Sequence, residues 1–80
     1  MKKNQEKGPF AIFFKQKRKE TSLTQAELAR KAGVGIRFVR DVEQGKSSVR
    51  LDRLNAVLSL FGFWAGPVRS PKGAEYGENG

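Results

Sequence analysis

Residues 24–45, TQAELARKAGVGIRFVRDVEQG, constrain this chain more than any other stretch, because they read as two short helices joined by a tight turn at Gly33. Thr24 stands just before the first apolar positions and Glu27 three residues later, the spacing of a capping box. Ala26, Leu28, Ala29 and Ala32 form a small apolar face, and the small side chains at Ala29 and Ala32 let a second helix approach closely. Gly33 supplies a turn residue free to take positive φ. In the second helix Val39 and Val42 lie three apart and turn inward with Val34. Ile36, Arg37, Arg40, Asp41 and Gln44 are thereby assigned to the outer side.

The flanking sequence extends the helical pattern. Pro9 suits the first turn of a helix running to about Lys19, with Phe10, Phe13, Phe14 and the stem of Lys17 on one side. Gly45 ends the third helix, and Leu51, Leu54, Val57, Leu58 and Phe61 repeat at helical spacing until Gly62 stops the fourth. The aromatic-rich run from Phe63 to Val68, restricted by Pro67, predicts a short strand. The expected architecture is therefore all-α, about four helices with a short C-terminal β-strand. Residues 1–8 are expected to form a flexible basic arm, 9–62 the helical domain, 63–68 the strand and 69–80 a disordered tail. No internal repeat is visible.

Eighty residues suffice for one domain with a modest core. The chain has no cysteine and no histidine, which removes disulfides, zinc fingers and most nucleophile–base pairs. An enzyme is not expected, nor a metal or cofactor. No apolar run is long enough to span a bilayer, and the Lys-rich start lacks a signal-peptide hydrophobic region. The net charge of +8 is the footprint of a nucleic-acid binder, although charge alone also fits a membrane-surface peptide. Its distribution favours the former. Seven of the sixteen basic residues fall within residues 1–20 against two acids, while residues 63–80 are neutral overall.

Leu23, Thr24, Gln25, Leu28, Ala29, Gly33, Val39, Val42, Glu43 and Gly45 together carry a recognisable pattern. With it, residues 9–68 resemble the phage-repressor-like (Cro/C1-type) helix-turn-helix family, and the C-terminal extension is similar to small HipB-like antitoxins. The resemblance implies a sequence-specific transcriptional repressor in the bacterial cytoplasm, nucleoid-associated, binding a palindromic operator in double-stranded DNA as a homodimer. It further implies an antitoxin that autoregulates its operon and holds a HipA-like kinase toxin; the alternative is a stand-alone phage-type or housekeeping repressor. RNA binding is disfavoured, since the aromatic sheets and glycine loops of single-strand modules are absent. A non-specific DNA coater is the bland reading.

On that resemblance, base reading falls to Ile36, Arg37, Arg40 and Asp41. Arg37 suits guanine O6 and N7 and Ile36 a thymine methyl; Asp41 suits cytosine N4, although a pair with Arg37 four residues earlier is favoured. Thr24, Gln25, Gln44, Lys46 and Ser47 are assigned to phosphates. Arg18 and Glu43 are expected to form a structural ion pair fixing the first helix against the third. Phe10 and Phe14 are expected to pack with Leu28 and Val42, with Phe38 wedged beneath the first helix. Phe63, Trp64 and Val68 are assigned to a subunit interface in preference to folding back on the monomer.

Overall fold

The computed structural model describes residues 7–77. Four helices occupy them: α1 Pro9–Thr21, α2 Gln25–Ala32, α3 Ile36–Glu43 and α4 Leu51–Ser59. The all-α expectation therefore holds. Most of the N-terminal arm, residues 1–6, and the end of the tail, residues 78–80, lie outside the described residues.

Local chemistry sets the boundaries. Pro9 opens α1, and Ser22 closes it in the left-handed conformation while Leu23 N–H donates to the Arg18 carbonyl at 3.0 Å. At α2 the capping box is complete. Glu27 N–H donates to Thr24 Oγ1 at 3.0 Å, and Thr24 N–H donates to Glu27 Oε1 at 2.9 Å. The bond from the Thr24 backbone N–H, with a further contribution from the Thr24 hydroxyl, holds the Glu27 carboxyl below its ordinary value. Gly33 takes φ 75° as the C-cap of α2, and Val34 N–H returns to the Ala29 carbonyl at 3.0 Å. After α3, Gly45 at φ 90° runs so close to the Lys7 backbone that a Cβ would meet Lys7 Cα at 3.1 Å. Both features favour glycine there.

α3 is the central element, packed against both α1 and α2, while α4 rests on α2. Phe14, Leu28, Ala29, Val39, Val42, Leu54, Val57 and Leu58 form the core, and the Phe14 ring meets Phe38 at 6.5 Å between centroids.

Several sequence expectations are corrected. Phe10 shares a side of α1 with Phe14 but is 41% exposed, because it overhangs an open groove while Ala11 beside it is the buried residue of that turn. Leu51, at the first position of α4, is 59% exposed, and Ala26 faces solvent. Ile36 is half-buried against the core; standing three residues before Val39, it shares the inner face. Among the described residues there is no strand. A strand needs a neighbour's backbone groups, and within one chain the segment after Gly62 finds side chains instead: the Phe63 ring lies edge-on to Phe13 at 4.9 Å, and Ala65 N–H donates to Asn55 Oδ1 at 2.7 Å. Residues 69–77 are exposed, with a turn closed by Gly73 N–H on the Ser70 carbonyl at 3.1 Å.

Phe14→Ala is expected to cost about 3–5 kcal/mol of stability in urea denaturation, and Phe10→Ala only a small fraction of that. Equal losses would place Phe10 in the core after all.

Candidate nucleic-acid interface

The outer stripe of α3 follows from what its inner face buries. With Val39, Val42 and Glu43 inside, Arg37, Arg40 and Gln44 at spacings of three and four are left exposed along one line. Arg37 carries no hydrogen bond or ion pair among the described residues, so its planar donor fork is free. Asp41 is half-buried and pairs with Lys46 at 3.7 Å rather than with Arg37. The turn at Gly45 causes this, because Lys46 N–H returns to the Asp41 carbonyl at 3.0 Å and brings the lysine alongside. Lys46 and Ser47 remain exposed just beyond the stripe.

Beneath the stripe lies a buried carboxylate. Glu43 accepts from Arg18 Nε at 2.7 Å and Nη2 at 3.0 Å, a bidentate pair joining α1 to α3. Arg18 Nη1 also donates to the Leu23 carbonyl at 3.1 Å, fixing the corner into α2. The hydrogen bonds to Glu43 raise the Arg18 pKa beyond its already high ordinary value, against a smaller opposing effect of burial.

Gln25, the first residue of α2, completes the arrangement. Its Nε2 donates to Glu43 Oε1 at 3.1 Å and its Oε1 accepts from Arg40 Nε at 3.4 Å. Neither contact was anticipated from sequence; residues fifteen and eighteen apart leave no periodic signal. Thr24 adjoins Gln25 with its hydroxyl oxygen occupied by the cap. The first N–H groups of α2 have no intrahelical partner there, which makes this end suited to an anion.

The two faces of the molecule differ. Phe63 is drawn back onto α1, and Lys17 Nζ lies 5.5 Å from the centroids of both Phe13 and Phe63. Trp64 and Val68 stay 72% and 86% exposed. Trp64 forms a ridge between an open groove of about 510 Å³, walled by Phe10, Phe13 and Val68, and a second of about 410 Å³ beside Leu51 and Ala56. Among the described residues no acidic cluster could hold a metal, and no helix is long and apolar enough to cross a membrane.

Removing Glu43 leaves the Arg18 guanidinium, only 24% exposed, without its anion. Glu43→Ala is expected to cost about 3–5 kcal/mol in denaturant unfolding. A loss below about 1 kcal/mol, the range of an exposed pair, would make the pair incidental.

Comparison with known proteins places this geometry. A family model described as helix-turn-helix matches residues 14–63, more than half of the 80-residue chain. An uncharacterised HTH-type transcriptional regulator of Sinorhizobium fredii, y4mF, is 47% identical over 45 residues, covering 56% of this chain. The matched stretch spans 59% of that relative's length.

Proposed function

The chain belongs to the Cro/C1-type helix-turn-helix family of transcription regulators, and on that premise we propose that it is a sequence-specific repressor binding a two-fold-related operator as a homodimer. The observation that carries this reading is Arg37: exposed, unpaired among the described residues, and one residue into α3, where a helix entering the major groove meets base edges. Arg40 reads bases beside it, with Asp41 and the exposed remainder of Ile36 at the margins of the same contact. Thr24, the second N–H of the Gln25 amide, Gln44, Lys46 and Ser47 hold phosphates on either side, with the N-terminus of α2 adding its own donors. DNA as ligand puts the site of action on the bacterial nucleoid.

Two copies are joined through the exposed ridge. Trp64 and Val68, with the exposed half of Phe63 and the grooves beside them, form a surface of alternating ridge and hollow, and aromatic area left open on a small monomer supports a second subunit. An isologous pairing there sets the two recognition helices about 34–36 Å apart or a multiple of it. The antitoxin reading draws on the same surface for a HipA-like kinase toxin. The two readings can both hold, and a HipA-like reading frame beside this one is what separates an antitoxin from a stand-alone repressor.

DNA affinity is expected to fall steeply with salt, since each neutralised phosphate releases about 0.9 counterion. On DNA selected from a random pool, Arg37→Ala should cost about 1–3 kcal/mol and relax preference at one base position, while changing affinity for random DNA little. Equal losses on both DNAs remove Arg37 from base reading, and a flat salt plot removes phosphate binding.

Trp64→Asp, at a site exposed enough not to disturb the core, is expected to yield monomers in sedimentation and to weaken operator binding with them. A Trp64→Asp protein that remains dimeric would move the interface elsewhere.

A further inference from the structure

The interior charge and the exposed stripe are connected by one side chain. Arg40 and Glu43, three apart, both face the first residue of α2. Glu43 is an acceptor only, already engaged by two Arg18 donors. It therefore demands the NH2 end of the Gln25 amide, and the carbonyl end is forced toward α3. Gln25 Oε1 meets Arg40 there, at Nε and not at the terminal nitrogens.

We infer that Gln25 is a positioning residue for Arg40, with its amide orientation dictated by the buried Arg18–Glu43 pair and its carbonyl oxygen holding the arginine so that the terminal fork is aimed at DNA. The inference rests on the DNA-binding reading above and deepens it. A free arginine on a surface helix samples many rotamers and loses that freedom on binding. Fixing Nε in advance removes part of this cost and leaves both Nη groups for a bidentate contact with a base or a phosphate. The second N–H of Gln25 stays available to a phosphate, but the larger share of what Gln25 adds to binding runs through Arg40. The interior pair then acts on recognition through orientation, although neither Arg18 nor Glu43 touches the ligand.

The test is a double-mutant cycle on selected operator DNA with Gln25→Met, which keeps length and helix propensity while removing both amide contacts. In the otherwise native protein Gln25→Met is expected to weaken binding about tenfold, equivalent to about 1.4 kcal/mol. In an Arg40→Ala background the same change is expected to cost no more than about threefold, a coupling within the range of neighbouring residues. Equal losses in both backgrounds overturn the inference and make Gln25 an independent phosphate contact. A second readout needs no DNA: the Arg40 Nε–H signal in the NMR spectrum of the free protein is expected to show a restrained side chain that becomes mobile in Gln25→Met. A side chain equally mobile in both proteins overturns it too. Failure of the repressor reading is seen separately, as a native protein that prefers no DNA sequence while Arg40 remains restrained.

Discussion

The arrangement of this protein depends on one buried anion. Glu43 is 2% exposed, and a carboxylate so placed is tolerated only with its charge matched and its lone pairs satisfied. Two donors come from α1 through Arg18 and a third from α2 through Gln25, while the acid itself belongs to α3. Three helices thus converge on a single group. Apolar burial among Phe14, Leu28, Val39 and Val57 makes the helices associate, but it is not directional and tolerates small rotations. The bidentate geometry is directional. It sets how far α3 is turned, and hence which of its residues form the exposed stripe.

How much of this was legible in the sequence follows the range of each interaction. The capping box of Thr24 and Glu27, the turn at Gly33 and the end of α3 near Gly45 are decided within five residues, and they were readable because the chemistry is local. The inward valines of α3 follow from periodicity, and Ile36, three residues before Val39, belongs to the same face, although an apolar residue at the start of such a helix equally suits a thymine methyl. Phe10 shows a different limit. Periodicity reports which side of a helix is apolar, not where the partner helices stop, and at this end of α1 Ala11 is buried while Phe10 is not. Asp41 had two eligible basic neighbours, and the turn at Gly45, rather than helical spacing, selected Lys46.

The C-terminal segment was hardest to read, for a physical reason. An extended aromatic stretch is satisfied by a neighbouring backbone or by side chains of its own domain, and composition does not distinguish them. Here Asn55, itself only 6% exposed, offers its carbonyl to Ala65 N–H, while Phe13 offers an edge to Phe63. Nothing within four residues marks Asn55 for that role, since its spacing to Ala65 is ten. The segment is consequently divided. Ala65 answers to the monomer, Phe63 sets one edge on Phe13 while staying 52% exposed, and Trp64 between them projects outward.

Charge and packing are also connected across the whole molecule. A small domain buries only about 60–65% of its unfolded surface, and this one carries a net charge of +8 on that limited core. Self-repulsion opposes the compact state. Four of the sixteen basic residues, Arg37, Arg40, Lys46 and Arg50, lie exposed on α3 and the loop after it, where they help folding little but are suited to a polyanion. A ligand that binds only the folded form stabilises it in proportion to its occupancy. Arg37 and Arg40 therefore oppose folding in the free chain and favour it in the proposed complex with DNA, whereas Arg18, tied inward to Glu43, stabilises the domain in both.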